Sequence, residues 1–329
     1  MTTTTAIEAV GLSKTFGGSR AVDSVDLTVP AGTVYALLGT NGAGKTTTVR
    51  MLATLTRPDS GQARIFGYDV DRQASSVRSL IGVTGQYASV DEDLTARENL
   101  VIFGRLVGAS SRGARLRAVD LLDEFSLTAA ADRPVRHFSG GMRRRLDLAA
   151  SLITRPRLLF LDEPTTGLDP RTRAQMWDTV RRLVSEGSTV LLTTQYLDEA
   201  DELADHIAVM DRGRVVAEGT ATDLKSRVGE NAVKLTLHDP TQARDAVPLC
   251  AGFARGDVVL EGNPPRVVIP MPDIDALPDL LMRLRTADIR LDAVNVERPS
   301  LDEVFFALTD GGRPASTSGA QTTRDGDAA

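Results

Sequence analysis

The sequence has little of several residue types that mark common classes of protein. A single cysteine, Cys250, among 329 residues excludes an internal disulfide and any cysteine-rich metal site. The three histidines are scattered and show no metal-ligand spacing. No stretch approaches the roughly 20 apolar residues that a membrane-spanning helix needs. The first residues, MTTTTAIEAV, lack the basic and then apolar pattern of a secretory signal, so the cytoplasm is the expected location.

The chain also lacks an excess of positive charge. It has 38 Lys and Arg residues against 44 Asp and Glu residues, a formal net charge of −6. A dedicated nucleic-acid binder normally carries a basic balance, so we expect no nucleic-acid partner. Apolar residues make up 42% of the chain, as is ordinary for a soluble globular protein, and the length is sufficient for two domains.

The first two thirds of the chain alternate between strand-like and helical patterns. Residues 7–38 predict short strands, and residues 91–153 are helical, with Leu, Val and Ala at three- and four-residue steps. Strands return at 157–162 and 188–194. Both are apolar nearly throughout, which is typical of strands buried on both faces of a parallel sheet. At 207–219 the pattern predicts two strands joined by a turn at Arg212 and Gly213.

The pattern changes after about Lys225. Short strand-like segments (KLTLHD, DVVLEG, RVVIPM, LDAVNV) and one helical segment (IDALPDLLMRLRTAD) predict a small α/β domain over 226–310. Ser300 and Glu303 have the spacing of a capping box before VFFALT. Residues 311–329 are small and polar, and we expect them to be disordered.

The segment GTNGAGKT at 39–46 matches G-x-x-x-x-G-K-[ST] in full. It follows the apolar strand VYALL and opens a helical pattern at 45–55. The glycines let backbone N–H groups turn inward around phosphate oxygens, and Lys45 would reach the β- and γ-phosphates. The Thr46 hydroxyl would be a ligand of Mg²⁺. The alternative is a glycine-rich turn that only caps a helix. The motif predicts a nucleotide site lined by Gly39, Asn41, Gly42, Ala43, Gly44, Lys45, Thr46 and Thr47.

The segment LLFLDE at 158–163 is an apolar strand that ends in two carboxylates. We expect Asp162 to hold Mg²⁺ through its water shell and Glu163 to orient or deprotonate the attacking water. An acidic pair after a strand can also be a helix-capping cluster. The phosphate-binding loop upstream favours the catalytic interpretation.

The segment FSGGMRRRLDLAA at 138–150 begins with a turn and continues as a helix. Ser139 is a good N-cap, which is one interpretation of the turn. The same serine hydroxyl, with the N–H groups of Gly140 and Gly141 at a helix N-terminus, also makes an anion site. The run Arg143–Arg145 is interpreted as a solvated helix face, from which one arginine contacts a partner.

Along the chain the phosphate-binding loop comes first, the Ser-Gly-Gly helix second and LLFLDEPTTGLDP third. In this order the motifs resemble the nucleotide-binding domains of ATP-binding cassette (ABC) proteins. The resemblance covers residues 6–225 and implies an α/β P-loop NTPase cassette. Such a cassette has a mixed RecA-like sheet core, an antiparallel β subdomain and a helical subdomain, here at about 87–153. The small C-terminal α/β domain follows. Met142 stands where this family most often has glutamine, one position beyond the Ser-Gly-Gly turn.

The resemblance also assigns roles to residues outside these motifs. Gln86 matches the glutamine that links Mg²⁺ and water to the helical subdomain. Asp169, in Gly167-Leu168-Asp169, matches the loop that crosses the dimer interface. Phe16 occupies the place of the aromatic ring that stacks on adenine, where tyrosine is more usual. Gln195 stands where most cassettes carry a histidine that touches the γ-phosphate.

Longer segments are similar to the daunorubicin-resistance ATP-binding subunits of bacterial drug exporters. These segments are VTGQYASVDEDLTARENL, TTQYLDEADELADHIAVMDRGRVVAEGT and SLDEVFFALT. The similarity implies an ATPase that requires ATP and Mg²⁺, forms a homodimer through its ATP sites and works with a separate membrane permease. It would lie at the cytoplasmic face of the bacterial membrane and power efflux of a hydrophobic drug or antibiotic. Export of a lipid or polysaccharide, or a non-transport regulatory role, remains an alternative.

Gln195 raises a separate question about turnover. Glutamine offers a neutral N–H donor of similar reach to histidine, but it does not titrate near neutral pH. One hypothesis is that Gln195 substitutes for the histidine and gives a slow ATPase. The other is that Gln195 only ends a strand and caps the next helix, so that catalysis depends on Glu163 alone.

Overall fold

The structure is a computed structural model that describes residues 4–85, 90–228, 231–271, 273–297 and 300–309. Two predictions, the role of Gln86 and the disorder of 311–329, lie outside these residues. The chain forms two compact units, Met1–Leu224 and Lys225–Ala329. In the described part of the chain, no helix combines the length and the apolar character needed to cross a bilayer.

The first unit contains two sheets and the helices that cover them. Its strands are β1 (Thr5–Phe16), β2 (Ser19–Pro30), β3 (Val34–Leu38), β4 (Ser60–Ile65), β5 (Tyr68–Asp69), β6 (Ile81–Thr84), β7 (Leu158–Asp162), β8 (Thr189–Thr194), β9 (His206–Asp211) and β10 (Arg214–Gly219). Its helices are α1 (Lys45–Leu52), α2 (Ala74–Arg78), α3 (Ala96–Leu106), α4 (Ser111–Glu124), α5 (Gly140–Ser151), α6 (Pro170–Ser185) and α7 (Leu197–Leu203), and α8 (Ala221–Val228) crosses into the second unit.

The smaller sheet of this unit is antiparallel, with strand order β2-β1-β4-β5. Strands β1 and β2 form a long hairpin that turns at Gly17 and Gly18, which have φ of 53° and 85°. Glycine reaches this left-handed conformation without a steric penalty. The hairpin and β4 bury one apolar face in the core of the unit.

The larger sheet has the order β10-β9-β3-β8-β7-β6, and its strands are parallel except for β10. Every residue of β3, β7 and β8 is buried, which confirms the prediction that β7 and β8 belong to a parallel sheet. The predicted turn at Arg212 and Gly213 joins β9 to β10. Because β3, β8 and β7 are adjacent and parallel, the loops that follow them meet at one edge of the sheet.

Helices α3, α4 and α5 lie in the segment between β6 and β7. A capping box starts α3, in which Thr95 and Glu98 bond each other's backbone N–H groups. Helices α3 and α4 approach closely at Gly104, where a Cβ atom would lie 2.8 Å from the Cβ of Ala114. Ser139 caps α5 by accepting the N–H of Met142 at 3.3 Å. This cap fixes the start of α5 within the Ser-Gly-Gly turn, since Ser139 is the cap and Gly140 is the first residue of the helix.

The second unit is a four-stranded antiparallel sheet covered by helices. Its elements are β11 (Ala232–Leu237), α9 (Ala243–Cys250), β12 (Val259–Glu261), β13 (Arg266–Pro270), α10 (Leu277–Thr286), β14 (Leu291–Glu297) and α11 (Leu301–Thr309), with strand order β12-β13-β11-β14. Its core joins alternate residues of β11 and β13 to α9 and α10. The pattern did not predict α9, which is short and contains Pro248. The predicted capping box is confirmed, since Ser300 and Glu303 exchange hydrogen bonds of 3.2 Å.

Candidate active site

The loop between β3 and α1 is shaped by its glycines. Gly42 and Gly44 have φ of 82° and 103°, a conformation that residues with a side chain rarely adopt. A Cβ atom on Gly44 would lie 2.5 Å from the carbonyl oxygen of Ala21, and one on Gly39 would collide with the carbonyl of Met210. The loop is therefore seated directly against neighbouring backbone, and its conformation is fixed before α1 begins.

Lys45 opens α1 and is 4% exposed. Its ammonium donates to the carbonyl oxygens of Gly39 at 2.8 Å and Thr40 at 3.1 Å. It also lies 3.6 Å from Oε1 of Glu163. Burial lowers the pKa of Lys45, and the carboxylates of Glu163 and Asp162 oppose that shift. The loop therefore holds a buried cation at the edge of the sheet.

Asp162, the last residue of β7, is 5% exposed. Its Oδ1 accepts hydrogen bonds from the hydroxyl of Thr46 at 3.1 Å and of Thr193 at 2.5 Å. Two of the three predicted magnesium ligands, Thr46 and Asp162, are thus in direct contact. Described residues contain no cluster of three or more His, Cys, Asp or Glu side chains for a metal. A hydroxyl and one carboxylate nevertheless fit Mg²⁺, which binds few protein oxygens and takes its other ligands from phosphate and water.

Glu163 follows β7 with φ of 49°. Its N–H is shared between the carbonyl oxygen of Thr193 at 3.1 Å and the hydroxyl of the same residue at 3.0 Å. Its Oε2 accepts from the hydroxyl of Thr166 at 3.3 Å. A non-glycine residue in this region costs on the order of 1–3 kcal/mol and persists only where its surroundings hold it. The backbone at Glu163 is therefore fixed from several sides.

Gln195 follows β8 and is partly buried. It lines the same cavity as Lys45 and Glu163. Helix α7 begins after Tyr196, which is its N-cap residue. Gln195 is therefore not the cap of α7. Its side chain lies at the end of β8, on the cavity that the loops after β3 and β7 also border.

Lys45, Glu163 and Gln195 border one cavity of about 930 Å³, within the range of small-molecule sites. Its walls come from the phosphate-binding loop, the Ser-Gly-Gly helix and the loops after β7 and β8. The lining residues are Ala21, Asn41, Gly42, Ala43, Gly44, Lys45, Thr46, Thr47, Glu92, Gly140, Arg143, Arg144, Glu163, Thr166, Gly167, Leu168 and Gln195. Predicted site residues from four separate segments are thus brought together.

Phe16, the predicted adenine platform, is 52% exposed at the end of β1. The ammonium of Lys14 lies 5.6 Å from the centre of its ring. Phe16 is not among the lining residues of the cavity. Its stacking on adenine stays a prediction.

Three other predicted residues lie at helix starts. Ser139 is exposed and caps α5, as described above. A Cβ atom on Gly141 would lie 2.6 Å from Cγ2 of Thr172, so a larger residue here would require the Thr172 side chain to move. Asp169 caps α6, and hydrogen bonds from the side chain and N–H of Thr172 and the N–H of Arg171 lower its pKa. Asp169 therefore has a structural function as the N-cap of α6. Its role at a dimer interface stays a prediction.

One residue of this site was missed by the sequence interpretation. Arg144 belongs to the run assigned to a solvated helix face, but its side chain is only 12% exposed. Its guanidinium donates to backbone carbonyl oxygens at the ends of β6 and β7. The solvated interpretation is therefore wrong for Arg144. The only available signal was its position one helical turn after the Ser-Gly-Gly turn.

Glu199, in the first turn of α7, is fully buried. Its Oε1 accepts from the indole N–H of Trp177 at 3.2 Å. Burial raises the pKa of this carboxyl, while the bond from Trp177 acts in the opposite direction. Glu199 lies four residues after Gln195, and its hydrogen bond with Trp177 links α7 to α6.

Comparison with known proteins identifies the family to which the chain belongs. The protein-family model described as ABC transporter matches residues 22–166. The Daunorubicin/doxorubicin resistance ATP-binding protein DrrA of Streptomyces peucetius is 54% identical over 312 residues, covering 95% of this chain and 94% of that protein. The chain belongs to the ABC transporter ATP-binding protein family.

Two further matches agree with this assignment to the ABC family. The Doxorubicin resistance ATP-binding protein DrrA of Mycobacterium tuberculosis (strain ATCC 25618 / H37Rv) is 46% identical over 310 residues, covering 92% of this chain and 93% of that protein. A solved structure of an ATP binding subunit of an ABC transporter has a TM-score of 0.61 and 29% identity, covering 68% of this chain and 92% of that one. The predicted cassette fold, drug-resistance group and ATPase class are confirmed.

Proposed function

We propose that this chain is the ATP-hydrolysing motor of an exporter that removes a hydrophobic drug or antibiotic from the cell. The observation that carries the proposal is the 54% identity, across 95% of the chain, to a relative named for daunorubicin and doxorubicin resistance. The transported molecule would pass through a separate permease. This chain would lie at the cytoplasmic face of the membrane, bound to that permease.

The cavity supports binding of ATP through its phosphates. The loop from Asn41 to Thr47 presents backbone N–H groups at the start of α1, and Lys45 supplies the positive charge. Mg²⁺ would be held by Thr46 and Asp162, with Gln86 as a further ligand implied by the family, and would neutralise charge on the phosphate oxygens. Glu163 then holds the attacking water and accepts its proton at a carboxylate oxygen.

The start of α5 supports a homodimer. Ser139 and Gly140 are exposed at the N-terminus of a 12-residue helix, where N–H groups and the helix dipole favour an anion. We assign this turn to the γ-phosphate of ATP bound to a second copy. Binding of ATP would thus close the dimer, and hydrolysis would reopen it.

Inverted membrane vesicles that contain this chain and its permease test the export function. Doxorubicin fluorescence should fall as the drug enters vesicles on addition of Mg-ATP, and vesicles with Lys45→Ala should show no fall. ATP hydrolysis without drug movement would contradict the proposed substrate class. Drug movement in vesicles that lack the permease would contradict the proposal that the drug passes through a separate permease.

We assign the second unit, about 226–310, to assembly with the second copy or the permease. The support is its separate core and its position after the complete cassette. A chain that ends after Glu230 keeps α8 whole and should bind ATP but fail to co-purify with the permease or to dimerise. Unchanged transport and partner binding by this shortened chain would contradict the assignment.

A further inference from the structure

The guanidinium of Arg144 contacts the backbone on both sides of Glu163. Nε donates to the carbonyl oxygen of Pro164 at 2.9 Å. Nη2 donates to the carbonyl oxygens of Asp162 at 3.1 Å and Glu163 at 3.3 Å. Nη1 donates to the carbonyl oxygen of Gly85 at 2.7 Å, just beyond the end of β6. One side chain of α5 therefore holds three successive carbonyls, that of the last residue of β7 and those of the two residues that follow it.

These contacts occupy the donor capacity of Arg144. An arginine carries five N–H donors in a planar fork, and a fifth contact of 3.5 Å joins Nη1 to Asp147 Oδ2. Burial lowers the pKa of Arg144, but the nearby carboxylates of Asp147 and Asp162 oppose that change. Although Arg144 borders the cavity, its N–H groups point at protein carbonyls. It is therefore poorly placed to be a phosphate ligand.

A lysine could not make the same set of contacts. Its ammonium has three donors on one atom, whereas these carbonyls are separated and lie around a planar fork. Burial of an unpaired charge is costly, and the four carbonyls satisfy the guanidinium where water is largely excluded. The site thus favours arginine for its geometry as well as its charge.

The held segment includes the strained residue of the site. The left-handed conformation of Glu163, with φ of 49°, directs its side chain toward Lys45 and Thr166. The orientation of the peptide groups on either side decides where that carboxylate lies. A displacement of about 1 Å at a reacting group can cost about 10²-fold in rate.

We propose that Arg144 is a positioning residue for ATP hydrolysis, which fixes the Glu163 backbone and ties it to the helix that begins with the Ser-Gly-Gly turn. Arg144 acts through Glu163 and does not touch the nucleotide. The inference rests on the proposed role of Glu163 in water activation.

The test compares Arg144→Gln with wild type in the full-length chain with its permease in vesicles. We expect the Kd of Mg-ATP and the KM to stay within about twofold and kcat to fall about 10²-fold. Arg144→Lys should fold and give an intermediate kcat with unchanged nucleotide affinity. Arg117→Gln is the matched control, because Arg117 is also partly buried and donates to a backbone carbonyl, that of Leu152, away from the cavity. It should keep wild-type kcat.

A double-mutant comparison separates positioning from a structural role. In a Glu163→Gln background, Arg144→Gln should change the residual rate by less than about twofold, because the group that it positions is already lost. A further fall of about 10²-fold would overturn the inference. A wild-type kcat in Arg144→Lys, or equal losses of affinity and kcat in that variant, would overturn it as well. Wild-type turnover in Glu163→Gln alone would instead refute the proposed role of Glu163.

Discussion

The ammonium of Lys45 lies 3.6 Å from the carboxylate of Glu163, and the two side chains are 4% and 10% exposed. They come from loops after β3 and β7, which are separated in the sheet by β8. The proposed phosphate-binding cation, Lys45, and the proposed water-activating carboxylate, Glu163, therefore lie side by side with little exposure to solvent. Electrostatic effects are stronger there than in water, so a change to either residue should be large.

Lys45→Ala should remove detectable ATP binding. The substitution takes away the chief cation facing the phosphates and leaves Glu163 without its nearest positive charge. A titration with a fluorescent ATP analogue measures the loss. Lys234→Ala is a suitable control, because Lys234 pairs with Glu297 in the second unit. Tight binding by Lys45→Ala would refute the prediction.

Gln195→Ala should lower the rate of phosphate release about tenfold, if the amide donates to the transition state. Gln195→His should restore or exceed the wild-type rate, because a histidine can give a charge-assisted bond. Phosphate release from Mg-ATP in vesicles with the permease measures both. Gln175→Ala, an exposed change on α6, should leave the rate unchanged. An unaltered rate in Gln195→Ala would mean that Glu163 carries the chemistry alone.

The buried carboxyl of Glu199 should make the stability of the fold depend on pH. Its pKa is raised in the folded protein, so the folded state holds this proton more tightly than the unfolded state. The stabilisation is present below the ordinary glutamate pKa and is lost as pH rises through the raised value. Glu199→Gln stays neutral and still accepts from Trp177. The unfolding free energy of Glu199→Gln should therefore rise relative to that of wild type as the pH increases from below the ordinary glutamate pKa through the raised value.

Urea unfolding followed by the fluorescence of Trp177, the only tryptophan, measures this difference at each pH. Glu202→Gln is the control, since Glu202 is exposed on the same helix and pairs with Arg181. Its profile should run parallel to that of wild type. A parallel profile for Glu199→Gln would contradict the prediction.

Features encoded in consecutive residues were predictable from the sequence. The phosphate-binding loop, the buried strands β7 and β8 and the turn at Gly213 each depend on a local pattern of glycine or apolar residues. The fold class follows from their order. The proximity of Lys45 and Glu163 follows from that fold, because parallel strands of one sheet place the loops after them at the same edge.

Contacts between distant segments were not predictable in the same way. The partners of Arg144 are carbonyl oxygens 18 to 20 residues away after β7 and 59 residues away after β6. Every residue type has a carbonyl, so the sequence gives no signal for such a bond. A run of three arginines on a helix instead indicates a solvated face. The burial of Arg144 depends on how α5 packs at the ends of those strands.

Glu163→Gln should trap an ATP-bound dimer. The amide keeps the size of the side chain and can still accept from Thr166, but it cannot take a proton from water. Removal of the carboxylate also frees Lys45 from its nearest anion, so ATP binding should survive. Size-exclusion chromatography with Mg-ATP should therefore show a dimer for this variant and a monomer for the double variant with Lys45→Ala, which cannot bind the nucleotide. A monomeric profile for Glu163→Gln itself, with ATP bound, would count against both the dimer and the assignment of Glu163, because a closed site that hydrolyses ATP only at a small residual rate should reopen slowly.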